Sequence, residues 1–192
     1  MRNIFKNKNV LITGHTGFKG TWLSMWLRSI GANVIGAALQ PVTNPSHFEL
    51  LSLDELTDSN ILDLRDHEKL NELVIKKKPE FVFHLAAQPL VGEAYDKPRD
   101  TFEINAIGTL NLLESLKKLN NECVVIIITS DKCYENVEWV WGYRETDRLG
   151  GSDPYSASKA AAEIIIKSYI VSYFPKDGNI KIGIGRAGNV IG

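Results

Sequence analysis

An α/β fold, with a parallel sheet covered by helices on both faces, is what the sequence predicts. Three observations predict it. Short apolar runs with almost no polar alternation, such as Val10-Leu-Ile12 and Cys123-Val-Val-Ile-Ile-Ile-Thr129, read as strands buried on both sides. Between them lie longer segments whose apolar residues recur at helical spacing. The first strand passes into the first helix through Gly14-His-Thr-Gly17-Phe-Lys-Gly20. Strand, glycine turn and helix are what a diphosphate site needs. Glycine lets the backbone approach the phosphates, and the N–H groups at a helix start point at negative charge.

Taken in order, residues 10–12 are the first expected strand and 21–30 the first helix, with Gly31 placed to end it. Residues 33–39 are a second strand. The stretch from Pro41 to about residue 60 is loop-like, with room for a short helix over 48–56. Residues 60–63 read as a short strand ending in an acid. Residues 66–77 carry Leu70, Leu73 and Val74 at helical spacing, with Asp66 as N-cap. A buried strand follows over 81–85, then loop and turn over 89–99, around Lys97-Pro98. Residues 101–119 form a long amphipathic helix and 123–129 the most hydrophobic strand. A loop over 150–154 leads to an alanine-rich helix over 155–173 and a last strand over 180–185. The 192 residues fit one domain, without repeats or low-complexity tracts.

Composition narrows the partners. With 44% apolar and 23% charged residues and a formal net charge of -1, nothing points to a nucleic acid or a membrane surface. The apolar runs are far shorter than a membrane span, and the first residues lack an apolar signal core. Two cysteines, Cys123 and Cys133, make no disulfide framework and have no metal-type spacing. A reducing, cytoplasmic setting without a metal is the simplest reading.

Several residues could carry chemistry. Tyr155 and Lys159 stand four apart at a helix start, on one face and about 6 Å apart. An ammonium near a phenol stabilises the phenolate, so such a tyrosine can exchange a proton with an alcohol while a nicotinamide exchanges the hydride. Thr129-Ser-Asp-Lys132 follows a run of pure Val and Ile, at the carboxyl end of a strand, where ligands bind in doubly wound sheets. Ser130 could hydrogen-bond a reacting alcohol, and Asp131 and Lys132 could be an acid and a base. Asp63 either accepts a hydrogen bond from an adenine or caps the next helix. His15 lies within the glycine turn, in reach of a cofactor. His84 and Asn105 read as satisfied polar residues in apolar surroundings, Asn105 bonding backbone carbonyls of a neighbouring strand.

Together these motifs resemble the extended short-chain dehydrogenase/reductases. That family carries GxxGxxG (here Gly14, Gly17 and Gly20), an adenine-side acid (Asp63), an HLAA segment (His84 to Ala87), a helix asparagine (Asn105) and YxxxK (Tyr155, Lys159). Within it the chain looks most like the nucleotide-sugar 4,6-dehydratases of the CDP-sugar branch. Gly14-His-Thr-Gly-Phe-Lys-Gly-Thr-Trp22 and Thr129-Ser-Asp-Lys-Cys-Tyr-Glu-Asn136 carry that likeness, with Lys132 where dTDP-glucose enzymes have glutamate.

The resemblance implies a Rossmann domain over residues 1–192 that binds NAD. It assigns cofactor contacts to Gly14, His15, Thr16, Gly17, Phe18, Lys19, Gly20, Asp63, Leu64, Leu85, Ala86, Ala87, Gln88, Asn105, Tyr155 and Lys159. It implies a CDP-sugar substrate, other nucleotide-glucoses remaining open. Tyr155 with Lys159 would take the C4 hydroxyl proton, Ser130 would bind O4, Lys132 would remove the C5 proton and Asp131 would protonate the departing C6 hydroxyl. Lys132 would need desolvation or a nearby cation to act as a base. Residues 37–41 lack the usual ribose-binding acid, so NAD rests on the resemblance. Family members are longer, so the C-terminal substrate domain is expected to be missing and the chain to be the cofactor-binding half. Full-length members commonly form homodimers through the helices corresponding to 101–119 and 155–173. An epimerase or reductase of the same family, or an inactive NAD-binding module, are the rival readings.

Overall fold

The computed structural model describes residues 4–191. Six strands form one parallel sheet: β1 (Asn9–Thr13), β2 (Asn33–Ala38), β3 (Asp58–Ile61), β4 (Phe81–His84), β5 (Cys123–Ser130) and β6 (Ile180–Ala187), in the order β3-β2-β1-β4-β5-β6. Chain order reverses between β1 and β4, the place where a doubly wound sheet opens its ligand crevice. The doubly wound parallel expectation holds.

The helices are α1 (Phe18–Ser29), α2 (His47–Leu50), α3 (Leu53–Leu56), α4 (His67–Lys77), α5 (Val91–Asp96), α6 (Pro98–Phe102), α7 (Gly108–Leu116) and α8 (Pro154–Tyr173). Alternation along β1 divides the core. Val10 and Ile12 pack with Leu27 and Val34 on the α1 side, whereas Leu11 joins Leu70, Leu112 and Ile166 on the other. Successive strand side chains point to opposite faces, so a strand covered on both must be apolar throughout.

Several boundaries differ from expectation. α1 begins at Phe18 rather than 21, so Phe18, Lys19 and Gly20 form its first turn. β3 ends at Ile61, leaving Asp63 beyond it. Asp66 does cap α4, its carboxylate accepting from Lys69 N at 3.1 Å. The segment over 89–99 is not loop: α5 and α6 occupy it, with Pro98 at the start of α6, where its missing N–H costs nothing. The helix expected over 101–119 is broken into α6, a π-helical turn at Glu103–Ile107, and α7. β5 and β6 each run past their expected ends, to Ser130 and Ala187.

Candidate functional site

The glycine turn is built by close backbone approach. Gly14 has φ +75°, and a Cβ there would lie 2.7 Å from Ala86 N. A Cβ on Gly20 would meet Gly14 O at 2.0 Å, which keeps α1 tight against the turn. Gly17 is different. A Cβ there would touch only Gly14 O, at 3.4 Å, so packing within the protein does not require glycine. Gly17 is exposed and is the N-cap of α1, which has no side-chain cap and no acid in its first turn. The free N–H groups of that turn and the partial positive charge of the helix start suit a diphosphate, and Gly17 leaves room for its approach. The residues present therefore fit a dinucleotide.

The other turn residues hold this shape. Thr16 Oγ1 donates to Leu39 O at 2.9 Å, tying the turn to the end of β2. His15 is buried under the turn, its Nε2 2.7 Å from Ser59 Oγ and its ring edge-on to Phe48. The ring fills the space above Gly36, where any Cβ would collide with it. Burial pushes the His15 imidazole down to about 4, so it is neutral near pH 7. Phe18 is exposed and Lys19 half-buried. Thr13 Oγ1 accepts from Leu85 N and Ala86 N, each at 3.2 Å, bringing the loop after β4 against the turn.

Ser130, Tyr155 and Lys159 come together beyond the carboxyl end of β5. Asp153 caps α8 through Ser156 N and Pro154 starts it, which sets Tyr155 in its first turn. Ser130, buried at the end of β5, lies beside the Tyr155 phenol. Lys159 Nζ lies 6.0 Å from the Tyr155 ring centroid. Burial holds the Lys159 ammonium down to about 8, and the positive charge of Lys19 adds to that. Lys159 therefore lies within electrostatic reach of Lys19 in the first turn of α1. The phenol, in contrast to the expected lowering by Lys159, is pushed up by burial. The neighbouring Ser130 hydroxyl opposes this, and the carboxylates of Asp131 and Asp153 reinforce it.

Asp131 and Lys132 begin a 3₁₀ turn, Asp131–Cys133, with side chains 55% and 45% exposed. Lys132 Nζ lies 3.9 Å from Asp131 Oδ1. The turn is fixed by Ser130 Oγ, which accepts from Lys132 N at 3.2 Å and donates to Asp131 at 3.1 Å. The desolvation or nearby cation that a base at Lys132 would need is not found there, and its neighbour is an anion.

Asp63 does not cap α4. It accepts from Arg65 through backbone N (2.9 Å), Nε (3.0 Å) and Nη2 (2.7 Å), and this pairing holds its carboxyl below the usual range. Leu64 is buried, with its carbonyl held by Asn111 at 2.8 Å. Asn105 lies in the π-helical turn and reaches a loop and a helix rather than strand carbonyls. Its Oδ1 accepts from Gln88 N at 2.9 Å, and its Nδ2 donates to Gln88 O and Ser158 Oγ. Gln88 also donates to Thr101 Oγ1 at 3.0 Å, so the loop through Ala87 is pinned from α6 and from the π turn.

Sequence reasoning missed Glu163 and the part played by Arg186. Glu163 is fully buried one turn beyond Lys159 and accepts from Thr129 Oγ1 (2.7 Å), Cys133 Sγ (3.1 Å) and Arg186 Nε (2.7 Å). Burial alone would raise its carboxyl, but these donors outweigh it and hold it below the ordinary range. Burial, and then the same carboxylate, push the Cys133 thiol up to about 12. The signal was present: positions 155, 159 and 163 share one helix face.

Among the described residues no cluster of His, Cys, Asp and Glu could hold a metal ion, and no helix is long and apolar enough to cross a membrane.

Comparison with known proteins agrees with this geometry. Residues 11–176 match the family model described as GDP-mannose 4,6 dehydratase. The chain is 50% identical over 195 residues to CDP-glucose 4,6-dehydratase of Salmonella typhimurium, covering all of this chain and 54% of that protein. It is similar in structure to UDP-glucose 4-epimerase of Thermus thermophilus in complex with NAD (TM-score 0.76, 29% identity, 93% of this chain and 54% of that one). It is also similar to UDP-glucose 4-epimerase of Thermotoga maritima with UDP-glucose (TM-score 0.77, 27% identity, 93% of this chain and 54% of that one). The chain spans about half the length of the relatives it matches.

Proposed function

Because the chain belongs to the GDP-mannose 4,6 dehydratase family, we propose that it is the NAD-binding domain of a CDP-glucose 4,6-dehydratase. The observation that carries the reading is the meeting of Ser130, Tyr155 and Lys159 beside the glycine helix, with Lys19 close enough to influence Lys159. The 50% identity to a CDP-glucose 4,6-dehydratase supports the dehydratase reading over the epimerase one, for which CDP-paratose 2-epimerase of Salmonella typhi is 31% identical and UDP-glucose 4-epimerases of Pisum sativum and Yersinia enterocolitica are 27% and 29%. The reaction would convert CDP-glucose to CDP-4-keto-6-deoxyglucose and water, in the cytoplasm, for deoxysugar synthesis.

Bound along the Gly14–Gly20 turn and past Ala86 and Gln88, NAD would supply the site that accepts hydride from C4 and returns it to C6. The chain's own residues manage the protons. Tyr155 must first be the phenolate; in that form it accepts the C4 hydroxyl proton, and the Ser130 hydroxyl steadies the oxygen as it becomes a carbonyl. Lys159, buried and positively charged below about pH 8, sits 6.0 Å from the Tyr155 ring and favours the phenolate that takes the proton. The ketone acidifies C5–H. Asp131, exposed on the turn, can deliver a proton to the departing C6 hydroxyl. Lys132 is the candidate for the C5 proton, provided that substrate covers the turn and desolvates it.

Titration with NAD, followed by tryptophan fluorescence, tests the cofactor reading. Failure to bind removes it. Incubation of the chain, extended to the length of its relatives, with CDP-glucose then tests the activity. NAD binding without a 4-keto product would turn the assignment to an epimerase or an inactive module.

A further inference from the structure

His84 ends β4 beside Thr13, its register partner on β1, and is buried. None of the roles assigned above uses it. Its two ring nitrogens are both bonded: Nδ1 lies 2.8 Å from Thr13 Oγ1 and Nε2 lies 3.0 Å from Thr109 Oγ1. Counting donors fixes which nitrogen carries the proton. The single Thr109 hydroxyl hydrogen goes to Asn105 O at 2.7 Å, so Thr109 can only accept from His84. Thr13 Oγ1 already accepts from Leu85 N and Ala86 N, so its hydrogen must go to His84 Nδ1. An Nδ1–H tautomer, or an imidazolium, would place a third donor on Thr13. Burial and the nearby positive charge of Lys159 hold the imidazole down to about 3, in agreement with a neutral ring.

The bonds then run in one direction. Thr13 donates to His84, His84 to Thr109, and Thr109 to the Asn105 carbonyl. The Asn105 amide donates to Ser158 Oγ at 2.9 Å, and Ser158 donates to the Tyr155 carbonyl at 2.7 Å. One end of this chain holds the glycine turn and the Leu85–Ala86 backbone; the other holds the first turn of α8. We propose that His84 is a positioning residue, locked as the neutral Nε2–H tautomer, that couples the diphosphate turn to the helix start carrying Tyr155. The positioning claim rests on the cofactor reading given above; the tautomer does not.

The test has two readouts on the chain as it stands. Long-range ¹H–¹⁵N spectra of the imidazoles report the tautomer without any ligand. His84 is expected to show a protonated Nε2 and a bare Nδ1, unchanged from pH 8 to 5. A protonated Nδ1, or averaging of the two nitrogens, overturns the proposal. The second readout is NAD affinity in variants of Thr109, which lies on α7 and not in the glycine turn. Thr109→Val keeps the shape and removes the acceptor, and is expected to weaken NAD binding about tenfold, within the usual range of coupling between sites. Thr109→Ser, which keeps the hydroxyl, is expected to restore it. Parent-like affinity in Thr109→Val, or no rescue by Thr109→Ser, overturns the coupling. If the parent chain itself does not bind NAD, the cofactor reading and the coupling built on it both fail, while the tautomer readout still decides the assignment of His84.

Discussion

Arg186 Nε donates to Glu163 Oε1 at 2.7 Å, joining the end of β6 to the middle of α8 around a carboxylate with no exposure to solvent. The same oxygen accepts from Thr129 and Cys133, so one anion fastens α8 to both flanks of the Ser130–Lys132 turn. Glu163→Ala strands a guanidinium whose side chain is only 12% exposed, and should cost about 3–5 kcal/mol. Glu163→Gln should cost less, since the amide oxygen can still accept. Urea unfolding checks both. Equal stability of Glu163→Ala and the parent would refute the clamp.

The three glycines of the turn should separate by mutation. Gly20→Ala forces a methyl onto Gly14 O and should destabilise the fold by about 1–3 kcal/mol or more. Gly17→Ala meets no such barrier and should melt within a few degrees of the parent, yet bind NAD about tenfold more weakly, a loss of about 1.4 kcal/mol. Thermal melts alongside fluorescence titrations distinguish folding from binding. Parent-like affinity in Gly17→Ala would move the diphosphate away from this turn.

For the chemistry, the informative pair is Tyr155 and Lys132, measured in a protein of its relatives' length. Tyr155→Phe should slow reduction of bound NAD by about 10²–10⁴-fold, the usual worth of a positioned proton acceptor. Lys132→Ala should still reduce NAD but stall before elimination, accumulating NADH and the 4-keto sugar. If Lys132→Ala slowed only the first step, the residue would belong with the alcohol oxidation instead.

Acid should weaken the fold before its carboxylates are touched. His15 and His84 have folded values of about 4 and about 3, below the ordinary 6.5. Between those limits the unfolded chain binds more protons than the folded one, so stability falls as pH drops through 6.5. Each buried histidine should remove about 2 kcal/mol between pH 7 and 5. Urea midpoints at several pH values across this interval measure it. His84→Gln has nothing to protonate and should reduce the slope by roughly half.

What could be read from residues alone depended on whether a signal was local. Val10–Ile12 and the Val/Ile run of β5 declare themselves because strands buried on both faces tolerate little else. Tyr155 and Lys159 are four apart in the chain, so helical geometry alone brings them to one face. The short helices over 89–99 were hidden because Pro98 reads as a breaker, although the first turn of a helix accepts it. The π turn at Glu103–Ile107 has no periodic signature in a window dominated by leucines and isoleucines. Glu163 was legible as a helix-face neighbour, but its donors come from β5, the 3₁₀ turn and β6, and no local pattern gathers those. The environment of Lys132 was likewise beyond reach, because solvent exposure is decided by what the fold leaves uncovered.

The hold of Thr13 on Leu85 and Ala86 has a consequence for the order of folding. The glycine turn occupies the N-terminal part of the chain, yet it is closed against backbone that is made only after α1 to α4 and β2 to β4 have been synthesised. Until β4 docks beside β1, Gly14 lacks the Leu85–Ala86 backbone it is pressed against and Thr13 has no amides to hold. On an emerging nascent chain the turn is therefore a late structure despite its early position. A peptide ending before β4 would contain every glycine of the motif and the ties to Leu39 and Ser59, but not the Leu85–Ala86 backbone that closes it.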